Sequence, residues 1–180
     1  MQLEQLNLSF NPNEDRLILK IGLKETTSNE KKEVQLYLTR RLLRRMWPTL
    51  IEAITTHLRM NRPEAAFASE EILNMDHEEA IQNISQSGNF NREYEATERE
   101  ALHGAIPFLI NSVQFHLQKE SLLWIQFHNV NGGTIDLKLN NELIHGFCKL
   151  LIDAETKTDW QLDLRMPKAE DLNRPAHLLN

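Results

Sequence analysis

The densest chemistry in the sequence is cationic. Thr39-Arg40-Arg41-Leu42-Leu43-Arg44-Arg45 places four arginines within seven residues. At about 100° per residue, Arg41, Arg44, Arg45 and Arg59 share the side of a helix that lies opposite an apolar stripe. Thr39 suits the N-cap of that helix, and arginines in a first turn oppose the helix dipole unless an anion or a carboxylate offsets them. Arg40, Arg41, Arg44 and Arg45 are therefore a candidate anion-binding cluster built from guanidinium groups and backbone donors. The competing reading is a solvated basic face, or one paired with the chain's own carboxylates.

A second set of candidates is aromatic and lies on strands. Alternation of apolar residues sets a register in which His116, Trp124 and Lys138 form one cross-strand row, on the face turned away from the helices. Ser9, Ile18 and Tyr37 form the matching row. Among polar neighbours such as Gln114, Gln126 and Asp136, an aromatic centre is a platform for a base or for a partner's side chain. The same rows could instead be buried by a second copy or by another part of the chain. Among the seven histidines no spacing with Cys, Asp or Glu makes a compact ligand set, so no metal is expected. Cys148 falls on an apolar stripe and reads as a small buried hydrophobe. With no Gly-rich phosphate loop, nucleophile elbow or paired-carboxylate motif, neither a cofactor nor a catalytic residue is assigned.

The elements that must hold these residues come in the same order twice. Period-two alternation marks Leu6, Leu8 and Phe10, then Leu17, Leu19, Ile21 and Leu23, then Val34, Leu36 and Leu38. A helical stripe follows through Leu42, Leu43, Met46, Trp47, Leu50, Ile51, Ile54 and Leu58. Val113-Phe115-Leu117, Leu123-Ile125-Phe127 and Ile135-Leu137-Leu139 repeat the strands, and Leu143, Ile144, Phe147, Cys148 and Leu151 repeat the helix. The first strands align at an offset of 107, the second at 106, and the third strands and helices at 101, each change falling in a turn. A hairpin through Val130-Asn131-Gly132 pairs Phe127 with Ile135 and Ile125 with Leu137. Pro48 leaves the start of the first helix open: near Thr39 with an interrupted bond to Arg44, or near Trp47 with Pro48 in its first turn.

The expected fold is α+β, an internal duplication of a β-β-β-α unit with antiparallel sheets and helices on one face. Residues 1–60 form the first unit, 61–106 an acidic and partly helical insert, 107–166 the second unit with a final strand from Trp160 to Arg165, and 167–180 a tail. Helix-forming pieces in the insert span Glu70 to Ile84 and Arg92 to Leu102. Charge follows the same division. The insert carries ten acidic residues against three arginines, a net −7 that leaves +1 for the rest of a chain whose total is −6.

At 180 residues and 41% apolar, the sequence can bury a real core, and six Gly with six Pro exclude a fibrous or low-complexity chain. The acidic balance argues against a generic nucleic-acid coat. The first 30 residues lack an export leader, no window supplies the roughly 18 apolar residues of a spanning helix, and a single cysteine suits a reducing compartment, so a cytoplasmic protein is expected.

Two resemblances complete the reading. The Leu-Tyr-Leu-Thr-Arg-Arg run, Met-Trp-Pro-Thr-Leu and Asp-Leu-Lys-Leu-Asn-Asn-Glu-Leu-Ile-His-Gly-Phe resemble a group of bacterial conserved proteins to which no activity is assigned. The twice-used plan of strands followed by a helix is similar to that of the PUR-repeat nucleic-acid binders, without their basic sheet. A non-catalytic binding or adaptor protein of the bacterial cytoplasm is the leading expectation, with a protein partner and room for a homo-oligomer. A single-stranded nucleic-acid binder, with Arg41, Arg44 and Arg45 on phosphates and Trp124 and Tyr37 stacking bases, is second. An enzyme or small-molecule binder with a site between the units is third.

Overall fold

The computed structural model describes residues 1–86, 94, 99–102, 106–118 and 122–167. Three strands open the chain, β1 (Gln2–Asn11), β2 (Arg16–Lys24) and β3 (Lys31–Thr39), and the helix α1 (Arg40–Asn61) follows directly. A 3₁₀ turn, Pro63–Ala68, leads into α2 (Ser69–Gln86) and the two-residue strand β4 (Glu100–Ala101). Then β5 (Phe108–Gln118), β6 (Leu122–Asn129), β7 (Thr134–Asn140) and α3 (Asn141–Glu155) repeat the opening order. The fold is α+β, with a mixed sheet of seven strands and three α-helices among the described residues.

Within each half the strands pair antiparallel in the register expected from alternation: Ile18 opposite Tyr37, Trp124 opposite both His116 and Lys138, and Phe127 opposite Ile135. The two ladders also share a defect. A bulge lies between Leu3 and Gln5 in β1 and between Ile110 and Ser112 in β5, so Glu4 and Asn111 are the extra residues, 107 apart. Thr39 and Asn140 each accept a bond at a helix start, from the backbone of Leu42 and Leu143 respectively, which settles α1 as beginning at Arg40. Pro48 is therefore interior, on the exposed side of α1, where the missing donor to Arg44 can be replaced by water.

One inward face unites the halves. Leu17, Leu19, Leu36 and Leu38 from one and Leu123, Ile125, Phe127 and Leu139 from the other are fully buried in a single core with Leu43, Leu50, Phe147 and Leu151 of the helices. Each helix packs across to the other half, α1 on β5 and α3 on β1.

Three expectations need correction. The sheet is not purely antiparallel: Leu36 and Tyr37 pair in parallel with Phe108 and Leu109, because α1 and α2 together form a crossover long enough to return the chain in the same direction. Glu100–Ala101 is strand rather than helix, pairing in parallel with Lys32 and Glu33; residues 92, 93 and 95–98 of that expected helix lie outside the described residues. No strand forms from Trp160 to Arg165. Its alternation is real, since Trp160, Leu164 and Met166 are buried, but Gln161 and Asp163 take φ of 54° and 51° and break the extended ladder geometry. Trp160 is held instead by its indole N–H, which donates to Asp15, and by an edge-on contact with Phe10.

Candidate functional site

The outward side chains of the second half form a connected polar sheet face around one aromatic ring. Trp124 lies beside the His116 ring, with centroids 4.7 Å apart, and the Lys138 ammonium sits 5.5 Å from its ring centroid. Its indole N–H donates to Asp136 at 3.0 Å; Gln126 donates to the same carboxylate oxygen at 2.9 Å and meets His116 at 2.7 Å. One row further, His128 bonds Thr134 at 3.1 Å. Among the described residues, every ring contact, ion contact and hydrogen bond given for these side chains runs between β5, β6 and β7. The network holds Trp124 in one orientation and leaves it half-buried.

The outward face of the first half has the same register and a different fate. Ile18 and Tyr37 sit together as expected, but Arg16 lies over the Tyr37 ring, 5.2 Å from its centroid, and a bond with Glu14 pushes the Tyr37 phenol up in pKa. The next rows are covered by the chain itself. Tyr94 lies beneath Lys20 and donates to Glu33, a buried carboxylate that also accepts from Gln35. Burial and the Glu33 carboxylate raise the Tyr94 pKa, which keeps the phenol a donor. Arg99 occupies the space above Gly22, where a Cβ would lie 2.7 Å from its Cζ. Its side chain is 1% exposed, pairs with Glu4 at 2.9 Å and stacks on Tyr94 at 5.4 Å. The β1 bulge brings Glu4 and Gln5 to the same notch. Here a missing side chain, an extra backbone residue and a buried cation fit one another.

The arginine cluster is assembled as a helix start. Arg40, Arg41, Arg44 and Arg45 are all exposed, and among the described residues no carboxylate pairs with them. Arg59 is drawn away, donating twice to Ser69, and Arg62 pairs with Asp76 at 2.9 Å. Arg41 and Arg45 line a groove of about 400 Å³ with Thr39, Leu42, Asn111 and Val130. At an offset of 101 the four arginines correspond to Asn141, Glu142, His145 and Gly146 of α3. A groove of about 330 Å³ lies there, lined by Asn140, Glu142, Leu143, Gly146 and, from β1, Leu3 and Glu4. The two grooves occupy equivalent places with opposite charge.

The meeting of two histidines had no signal in spacing. His77 of α2 and His145 of α3, 68 residues apart, meet with Nδ1 atoms 3.3 Å apart. Burial, with the His77 charge secondary, lowers His145 to about 4; burial, then Lys149, lowers His77, against a smaller opposing effect of Glu78. Cys148 is buried, which pushes its thiol up to about 12. Among the described residues no three His, Cys, Asp or Glu side chains gather as a metal site, and no helix is long and apolar enough to cross a membrane. No family model, curated protein or solved structure matches the chain.

Proposed function

We propose that the protein is a non-catalytic binding or adaptor module whose contact surface is the outward face of β5, β6 and β7, centred on Trp124 with His116 and Lys138. The observation that carries this reading is a preorganised aromatic ring on a polar sheet face, its ring contacts and hydrogen bonds among the described residues all made within β5, β6 and β7. A half-buried Trp with its N–H already satisfied offers a rigid aromatic area at little entropic cost, the character of an interface anchor. Ile18 and Tyr37 form the weaker counterpart, since Arg16 already stacks on Tyr37.

We infer further that the two halves descend from one duplicated unit and that residues 61–106 entered between them. Support comes from the paired registers, the bulges at Glu4 and Asn111, and the caps at Thr39 and Asn140. Duplication gives two faces to begin with, one of which can be given up to self-packing while the other is kept for a partner.

The test compares Trp124→Ala with Trp124→Phe in the full chain. Both are expected to unfold at a midpoint close to that of the parent, with partner capture lost for Ala and largely kept for Phe. An alanine variant that unfolds, or captures as the parent does, would show that Trp124 is not the anchor. A second reading, single-stranded nucleic acid, is favoured by the exposed arginines of the first groove. Titration with a labelled single-stranded oligonucleotide separates the two: phosphate contacts lose affinity steeply with salt, and absence of binding at about 50 mM salt removes this reading.

A further inference from the structure

We propose that the chain self-associates by docking the arginine start of α1 in one copy into the acidic groove at the start of α3 in another. The inference goes beyond the outward face of β5, β6 and β7 and uses neither Trp124 nor its neighbours.

The argument rests on substitution at equivalent positions. Arg41 and Arg45 line the first groove and charge it, whereas the same places in the second hold Glu142 and Gly146. Gly146 has no side chain where Arg45 carries one in the first half, and Glu142 supplies a carboxylate in place of a guanidinium. Apolar side chains of Leu143 and Leu150 flank the opening, suited to the methylene stem of an incoming arginine. The second groove therefore presents a carboxylate beside apolar walls, chemistry suited to an arginine, and no arginine is among the described residues that line it.

The other side of the contact is also on the molecule. Four exposed arginines crowd the positive end of α1 without a described carboxylate partner, a placement that costs stability unless an acid is supplied. Glu142 is exposed, and beside it runs a further acidic groove with Glu79 and with Asp76, the partner of Arg62. Two patches of opposite sign on one chain make a second copy a complete partner, with each copy able to give arginines and receive them. A carboxylate and a guanidinium meet with bidentate geometry, which fixes orientation as well as attraction. A nucleic acid, by contrast, would use the basic groove and leave the acidic one unexplained.

The experiment is sedimentation equilibrium of the full chain across micromolar to millimolar protein at low salt. A dimer or larger species is expected, with its dissociation constant rising at least about tenfold when salt is raised well beyond the screening threshold. Arg41→Glu with Arg45→Glu should leave a monomer, as should Glu142→Arg alone, a residue the first half already tolerates at the same helix position. Mixing these two monomeric variants should restore the larger species, because each supplies the sign the other lacks. A parent chain that stays monomeric throughout overturns the proposal. So does an association that survives both charge reversals, or variants that fail to combine while each keeps its far-ultraviolet dichroism and unfolding midpoint.

Discussion

The two outward sheet faces share a register and differ in what lies on them. On the first half, Gly22 leaves a notch, Glu4 bulges toward it, and Arg99 and Tyr94 from the connecting segment fill the space above Glu33 and Lys20. On the second, His128 stands where Gly22 does, Thr134 where Glu33 does and Asn111 where Glu4 does. No notch and no carboxylate pair remain to receive a cation. On one face the chain binds itself; on the other, the half-buried Trp124 ring has contacts among the described residues only within its own strands. Similar ladders thus carry different outward surroundings, and a handful of outward residues decides which.

The sharpest way to break this comparison is to remove Arg99. Arg99→Ala strips a buried cation from Glu4 and Tyr94 and is expected to lower stability by about 3 kcal/mol in urea unfolding, because the remaining polar groups stay half-buried and unpaired. His128→Ala, at the position matching Gly22, should cost under about 1 kcal/mol. Equal costs would mean that the segment does not clasp the first face.

Next in size is the pH response of the helices. Arg44 of α1 is exposed, while its counterpart His145 is buried against His77. The folded-state pKa of His145, lowered to about 4, lies below its ordinary value, so the unfolded chain binds the proton more readily in between. Stability is therefore full above about pH 6.5 and falls as pH drops toward 4, by roughly 2 kcal/mol at pH 5 relative to pH 7.5. His145→Leu should flatten the profile over this window; an unchanged slope would assign it to other groups. Glu78 and Lys149 face the pair from α2 and α3 and act on His77 in opposite directions.

The helix caps sharpen the likeness between the halves. Thr39→Ala and Asn140→Ala should each cost about 1 kcal/mol and agree within roughly half of that, since each removes one acceptor from an equivalent backbone N–H. A cost at one cap alone would show that the starts of α1 and α3 are not energetically alike. The smallest stability effect is expected for Asp136→Ala, within about 0.5 kcal/mol at this exposed site, yet it frees both Trp124 and Gln126 and should weaken partner capture. Intact capture would show that the orientation of Trp124 is unimportant.

Local order was legible and distant order was not. Period-two alternation fixes which side chains share a row, so Ile18 with Tyr37 and His116 with Trp124 and Lys138 follow from the sequence, as do the helix caps. The parallel contact of Leu36 with Phe108 depends on where a crossover returns, which alternation does not encode. Trp160 to Arg165 alternates as a strand does, but alternation reports burial, and nothing in it reveals left-handed backbone at Gln161 and Asp163. Arg99 with Gly22 and His77 with His145 are separated by dozens of residues, so their meeting is a property of tertiary packing. The arginine cluster is visible as charge and Glu142 as its counterpart at an offset of 101, while the groove around Glu142 is built by β1 packing beside α3, which spacing does not encode.

The most direct test places a photocrosslinking residue at Trp124 and, in a separate chain, at Lys20, then irradiates both in the cells that make the protein. A discrete adduct to another molecule from position 124, with position 20 yielding only links within its own chain to the segment carrying Tyr94, is the predicted result. Adducts of equal yield from both positions, or none from position 124, would contradict the division between an open face and a self-covered one.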